Sequence, residues 1–90
     1  MTVTVQTLGR VAIVTIDNPP VNAASQAVRA GLVDAVAQTE ADATIDAVVL
    51  TCAGRTFVAG ADVREFDLPP VAPPLPDVIA AIEAASKPWI

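Results

Sequence analysis

The chain has 90 residues, of which 53% are hydrophobic and only 3% aromatic, and its formal net charge is −5. This length suits one small domain whose core is built from Ala, Val, Ile and Leu. The acidic balance repels phosphate backbones, which excludes nucleic acid as the main partner. No apolar run approaches the ~18 residues that a membrane-spanning helix needs, and the first ten residues do not have the plan of a signal peptide.

Few residue types are available for chemistry. The chain has no histidine, which removes the commonest general base and every Ser–His pair. Its single cysteine, Cys52, excludes an internal disulfide and gives no sign of an oxidising compartment. No spacing typical of metal ligands and no phosphate-binding loop is present. We therefore expect a cytoplasmic protein without a metal site, whose chemical groups are carboxylates, Lys87 and backbone amides.

Two β-rich runs open the chain. Residues 2–7 alternate Val with Thr and Gln, and residues 11–16 read VAIVTI. The turn Leu8-Gly9-Arg10 between them predicts a β-hairpin. Asp17-Asn18-Pro19-Pro20 ends it, because the two prolines cannot donate hydrogen bonds to a neighbouring strand.

A helix and a third strand are predicted next. Ser25 is a favourable N-cap, and the pattern continues to about Asp42. Apolar residues recur every four positions along one stripe: Val28, Leu32 and Val36. Polar residues fall on the other side: Gln26, Arg29 and Gln38. The continuously apolar residues 47–51 predict a strand covered on both faces, and the intervening helix predicts that it pairs in parallel.

The last third of the chain is rich in proline. Five prolines lie between Pro69 and Pro76, and we expect residues 67–76 to be extended, solvated and mobile. A helix from about Pro76 to Ser86 follows, with one apolar face. That face is formed by Val78, Ile79 and Ile82. Lys87 is expected to serve the C-terminal end of this last helix, and Trp89-Ile90 to begin another strand.

The loop TFVAGADVREF, residues 56–66, follows the third strand. Open α/β sheets bind ligands at the carboxyl ends of their strands. Gly60 permits a backbone conformation that other residues avoid. If a helical turn begins at Asp62, the amides of Ala61 and Asp62 point outward and can bind an oxyanion or a polarised carbonyl. The residues alone leave open a small-residue turn capped by Asp62 that binds no ligand.

The order of these motifs resembles the crotonase superfamily, the enoyl-CoA hydratases and isomerases. The resemblance covers essentially the whole chain and rests on the opening hairpin and three motifs, which are NPPVNAAS (18–25), VVLTCAGRTFVAGADVREF (48–66) and SKPWI (86–90). It is closest to the N-terminal hydratase domain of multifunctional fatty-acid oxidation proteins, which continue into a 3-hydroxyacyl-CoA dehydrogenase. The resemblance implies an α/β fold, a crotonase-like ββα spiral of which residues 1–90 form the N-terminal portion.

The resemblance also implies roles for individual residues. The backbone N–H of Ala61 would be one of two donors that bind the thioester carbonyl of an acyl-CoA. Other residues would contact the CoA arm or the acyl group: Val21, Ala23, Ala59, Gly60, Asp62, Val63 and Arg64. Asp62 is interpreted as a structural cap rather than a catalyst. Arg64 takes the place of a basic residue near the CoA phosphates, with a solvated charge as the alternative.

The implied activity is hydration of a 2-trans-enoyl-CoA in β-oxidation, with or without double-bond isomerisation. The CoA thioester would be the substrate and no cofactor is expected, NAD being required only by a downstream dehydrogenase domain. In the family, the second carbonyl donor and two catalytic glutamates lie beyond the position of Ile90. Glu65 and Asp67, placed in the mobile segment, and Glu83 do not replace them, so we expect the isolated chain to be inactive.

Two alternatives remain open at this point. The chain could be a non-catalytic CoA-binding or oligomer-forming module, or it could support another chemistry of the superfamily, such as that of a dehalogenase or a thioesterase. The apolar composition leads us to expect a second copy of the chain, or the remainder of a longer one, as a protein partner.

Overall fold

The computed structural model describes residues 2–66 and 68–90, and Asp67 lies outside the described residues. Three strands form one sheet in the order β1 (Val3–Leu8), β2 (Val11–Ile16) and β3 (Ala47–Cys52). Helix α1 (Gln26–Ala41) joins β2 to β3, and helix α2 (Leu75–Ala84) follows a 3₁₀ turn at Val63–Glu65. No described helix combines the length and the apolar character that crossing a membrane requires.

The sheet is mixed. β1 and β2 are antiparallel, with Val3 opposite Ile16, whereas β2 and β3 are parallel, with Ile16 opposite Cys52. Parallel strands have their carboxyl ends at the same edge of a sheet, so the loops that follow β2 and β3 leave it side by side. The predicted hairpin and the predicted parallel crossover are both confirmed.

Helix α1 begins where the sequence predicts and covers the sheet. The Ser25 hydroxyl accepts a hydrogen bond from the Val28 N–H at 3.3 Å, which caps the first turn. The most deeply buried residues of the core come from β2, α1, β3 and α2: Ala12, Val14, Ile16, Val28, Ala35, Val48 and Val78. Burying one such Val or Ile side chain contributes about 1.5–3 kcal/mol, so the apolar stripe of α1 is what holds the helix on the sheet.

The second half of the chain differs in detail from the prediction. Helix α2 begins at Leu75, so the end of the segment 67–76 is helical, while the mobility of that segment stays a prediction. Val78 is buried but Ile79 is 48% exposed, because a residue one position further along a helix points about 100° away. In β3 only Val48 is fully buried, so the described chain does not cover this strand on both faces.

The end of the chain confirms one expectation and corrects another. Trp89 pairs in parallel with Val48, and the Ile90 N–H donates to the Val48 carbonyl at 2.9 Å, so residues 89–90 do begin a strand. The Lys87 ammonium donates to the carbonyls of Thr39 and Asp42. It therefore satisfies the C-terminal end of α1, not that of the helix that precedes it in sequence.

Gly31 allows α1 to lie close to β1. A Cβ atom at position 31 would lie 2.7 Å from Cγ2 and 2.8 Å from Cβ of Val3, closer than carbon atoms can pack. Gly31→Ala is therefore expected to lower the free energy of unfolding by about 1–3 kcal/mol, although alanine normally stabilises a helix relative to glycine by about 0.5–1 kcal/mol. Urea denaturation measures the difference.

The double variant Val3→Gly/Gly31→Ala is the control, because it removes both atoms of Val3, Cγ2 and Cβ, that the new Cβ would meet. Its cost should be clearly smaller than the sum of the two single costs. A Gly31→Ala variant that is more stable than the parent chain would show that the helix has room at this position.

Candidate functional site

Two loops lie side by side at the carboxyl edge of the sheet. We call residues 17–25, which follow β2, the β2 loop. We call residues 53–62, which follow β3, the alanine loop. The Ala24 N–H donates to the Gly60 carbonyl at 2.8 Å, and the Ala59 N–H donates to the Val21 carbonyl at 3.2 Å. These main-chain bonds extend the parallel pairing of the strands into the loops, so each loop fixes the position of the other.

Asn22 joins the two loops through its side chain. It is only 2% exposed and has a positive φ of 55°, a conformation that asparagine tolerates better than most residues. Its amide nitrogen donates to the carbonyls of Ala53 and Thr56, at 2.9 and 2.6 Å. Its amide oxygen accepts from the Asn18 N–H at 2.8 Å. Sequence reasoning missed this residue, although an asparagine four positions after another across two prolines is a signal for such a loop.

Ala61 presents a backbone donor that the protein does not use. The bond between the loops at this point goes to the carbonyl of Gly60, and the hydrogen bonds of the described residues include none donated by the Ala61 N–H. Gly60 has φ 138°, which is strained for any residue with a Cβ. The chain therefore reaches Ala61, an exposed residue, through a turn that only glycine makes comfortably.

Two cavities meet at Ala61. The smaller, about 410 Å³, lies over the alanine loop and contains most of the residues expected at the site: Val21, Ala23, Ala59, Gly60, Val63 and Arg64. The larger, about 710 Å³, has a mainly apolar wall formed by Phe66, Leu68, Pro69, Pro70, Val71 and Leu75. Ala61 and Asp62 line both cavities. All eight residues named from the sequence thus lie together, whereas the larger cavity was not foreseen.

Asp62 is held as a cap. Its side chain is 6% exposed, and Oδ1 accepts from the Arg64 N–H at 3.0 Å at the start of the 3₁₀ turn. The Arg64 guanidinium donates to both carboxylate oxygens, at 3.0 and 2.8 Å. These bonds from Arg64 hold the pKa of Asp62 below its ordinary value, so the group is an anion at neutral pH. The geometry is that of the structural cap, and Arg64 keeps most of its side chain exposed at the mouth of the smaller cavity.

Glu65, which the sequence analysis assigned to the mobile segment, forms an ion pair with Arg29. Glu65 Oε2 accepts from the Gln26 N–H at 2.9 Å, and Oε1 accepts from Arg29 Nη1 at 3.0 Å. The hydrogen bond from Gln26, followed by that from Arg29, lowers the pKa of Glu65. A carboxylate at the first turn of α1 is also favoured by the helix dipole. The Glu65 carboxylate is therefore an anion whose two oxygens both accept hydrogen bonds from residues of α1.

Arg29 also holds residues 69–76, which we call the proline-rich wall because most of them line the larger cavity. Its Nε donates to the Pro73 carbonyl at 2.7 Å and its Nη2 to the Val71 carbonyl at 3.1 Å, while Gln26 Nε2 donates to the Ala72 carbonyl at 3.1 Å. The helical pattern places Gln26 and Arg29 on the side of α1 opposite its apolar stripe. The pattern shows only which side of the helix faces the sheet. It contains no information on a segment that returns to the opposite side.

Comparison with known proteins gives one consistent family. The profile of the enoyl-CoA hydratase/isomerase family matches residues 6–68. The chain is 44% identical over 80 residues to a peroxisomal bifunctional enzyme of Danio rerio, and 43% identical over 56 residues to a probable enoyl-CoA hydratase of Bacillus subtilis (strain 168). These matches cover 89% and 62% of this chain.

The solved structures agree with the sequences. An enoyl-CoA hydratase/isomerase from Pseudoalteromonas atlantica T6c superposes on 100% of this chain with a TM-score of 0.86 and 31% identity. The chain spans 37% of that protein, and 11% and 22% of the fish and bacterial relatives. The fold is thus shared with the first part of much longer proteins.

Asn22 allows a test of how the loops are held. Asn22→Ala removes three hydrogen bonds in a buried place and puts alanine at a positive φ, so we expect a loss of about 2–4 kcal/mol in the free energy of unfolding. Asn22→Gly loses the same bonds but tolerates the backbone, and should be about 1 kcal/mol less destabilised than the alanine variant. Chemical denaturation gives both values. A loss below about 0.5 kcal/mol for Asn22→Ala, the range of an ordinary surface change, would contradict the assigned role.

The lowered pKa of Glu65 predicts acid sensitivity. A group whose pKa is lower in the folded state stabilises fully above its unfolded pKa, about 4.3 for glutamate, and loses this effect as the pH falls through the folded value. Below about pH 4.3, the stability of the parent chain should therefore fall more steeply than that of Glu65→Gln. Thermal melts at a series of pH values measure this, with Asp34→Asn, an exposed carboxylate on α1, as the matched control. Parallel curves for the parent and Glu65→Gln would show that the carboxylate does not interact as described.

Proposed function

Because this chain belongs to the enoyl-CoA hydratase/isomerase family, we propose that its two joined cavities bind an acyl-CoA thioester, with the thioester carbonyl at the backbone N–H of Ala61. The observation that carries this proposal is the position of that unused donor, at the junction of a small and a large cavity. The carbonyl of an acyl-CoA thioester lies between the CoA arm and the acyl chain. With the carbonyl at Ala61, one cavity can therefore hold the CoA arm and the other the acyl chain.

The two cavities suit the two sides of such a ligand. The smaller is lined by small residues of both loops, among them Val21, Ala23 and Ala59, which lets an extended arm lie against the main chain. The exposed Arg64 at its mouth supplies positive charge for the CoA phosphates, if it exchanges its bonds to Asp62 for them. The apolar wall of the larger cavity, with Phe66 and Leu68, suits an acyl chain.

The chemical consequence is polarisation of the carbonyl. A backbone donor directed at a developing oxyanion contributes about 3–4 kcal/mol in sites of this type. Polarisation would stabilise the enolate that forms when water adds to a double bond next to the thioester. The role proposed for the parent protein is therefore hydration of 2-trans-enoyl-CoA in fatty-acid β-oxidation, with CoA thioesters as substrates, no cofactor, and isomerisation as a further activity.

The 90 residues alone are proposed to hold the thioester without converting it. The two carboxylates that line the cavities, Asp62 and Glu65, are bound by Arg64 and Arg29. Both have lowered pKa values, which makes them poor proton donors at neutral pH. The chain contains no histidine to replace them.

Binding at Ala61 can be tested by NMR with two matched ligands. Crotonyl-CoA carries the thioester carbonyl, whereas S-butyl-CoA is a thioether of similar length without it. Both should shift the amide resonances of the smaller cavity, such as that of Val63, but only crotonyl-CoA should move the Ala61 amide proton downfield, because only it offers an acceptor. An Ala61 amide that does not respond to crotonyl-CoA, or responds equally to the thioether, would refute the proposal.

The same sample tests the catalytic part. The absorbance of the enoyl group should decay at the rate seen in buffer, and hydration well above that rate would mean that this chain carries an acid or base that we have not identified.

A further inference from the structure

We infer that Arg29 is a positioning residue that fixes the wall of the larger cavity, and thereby determines how well the site binds long acyl chains. The nature of the ligand rests on the proposed function. The positioning itself rests only on the contacts of Arg29.

One guanidinium joins three parts of the chain. Its four hydrogen bonds go to the Ala24 carbonyl in the β2 loop, to Glu65 at the end of the 3₁₀ turn, and to two carbonyls of the proline-rich wall. The side chain is only 11% exposed. A charge removed from water in this way needs several good partners, and the planar fork of arginine meets them in fixed directions. The position of each partner is therefore coupled to that of the others.

The proline-rich wall depends on these bonds because it has few hydrogen bonds within its own main chain. Its five prolines have no N–H, so residues 69–76 can form few main-chain hydrogen bonds of their own. The carbonyls of three consecutive wall residues, Val71, Ala72 and Pro73, all accept from side chains of α1. Arg29 supplies two of those three bonds and Gln26 the third.

The smaller cavity is held in another way. Main-chain bonds between Ala24 and Gly60 and between Ala59 and Val21, together with Asn22, fix the two loops, and only the bond to the Ala24 carbonyl involves Arg29. Loss of Arg29 should therefore affect the part of a ligand that lies in the larger cavity far more than the CoA arm. A purely structural role would weaken the binding of every ligand to a similar degree.

Calorimetric titration with two ligands separates these roles. Octanoyl-CoA extends into the larger cavity and acetyl-CoA does not. For Arg29→Met we expect octanoyl-CoA to bind roughly tenfold more weakly, and acetyl-CoA to change by less than about twofold, because a loose wall must be ordered at the expense of binding. Arg29→Lys keeps the charge but not the fork, and should lie between the parent chain and Arg29→Met.

Arg10→Met is the matched control, because Arg10 also forms a two-bond pair with an aspartate, Asp46, but at the opposite end of β2. It should change neither affinity. If Arg29→Met does not fold, Arg29→Lys is compared with Arg10→Lys. Equal weakening of both ligands by the Arg29 variant, or no change in either, overturns the inference.

Hydrogen exchange of the unliganded chain decides the inference even if the parent chain binds neither thioester, a result that would count against the proposed function alone. In Arg29→Met the amides of Asp77 and Val78, which donate to the Pro74 carbonyl of the wall, should exchange roughly tenfold faster, whereas those of β2 keep their parent rates. Unchanged exchange at Asp77 and Val78 would show that Arg29 does not position the wall, whatever the ligand.

Discussion

The parallel pairing of β2 with β3 is the constraint on which the site depends. With Ile16 opposite Cys52, both strands end at the same edge, and the Ala53 N–H donates to the Ile16 carbonyl at 2.8 Å just beyond it. An antiparallel arrangement would send one loop to each end of the sheet. The crossover helix α1 is what makes the parallel arrangement possible, and its first turn then lies beside both loops.

Beyond the strands, order comes from polar groups more than from apolar packing. The alanine and glycine residues near Ala61 leave the main chain open to close approach, but they offer little surface to bury. The buried side chain of Asn22 holds the two loops in place instead, through its three hydrogen bonds to their main chain. The loops keep their positions without a hydrogen bond from the Ala61 N–H, because the bonds of Ala24, Ala59 and Asn22 already fix them.

The sequence predicts the framework well, because the framework follows from local periodicity. Alternation defines β1, the Ser25 cap defines the start of α1, and the intervening helix implies the parallel pairing. Predictions fail where a side chain acts at a distance. Arg29 and Glu65 are 36 positions apart, and neither the helical period nor the loop composition relates them. The residues named from the family motifs do lie around one cavity, since motifs, unlike periodicity, carry information on tertiary contacts.

The use of charge in this chain follows from its composition. Only 17% of the residues are charged, and the chain has five basic residues, Arg10, Arg29, Arg55, Arg64 and Lys87. In the part that the structure describes, four of these fasten one segment to another or close a turn: Arg10, Arg29, Arg64 and Lys87. A chain rich in alanine, valine and proline has few side-chain donors. Because its prolines lack N–H groups, the chain also has more backbone carbonyls than backbone donors. Long basic side chains, with several donors each, are the groups that can reach those carbonyls. The same scarcity explains why Arg29, together with Gln26, provides the side-chain hydrogen bonds to the carbonyls of the proline-rich wall.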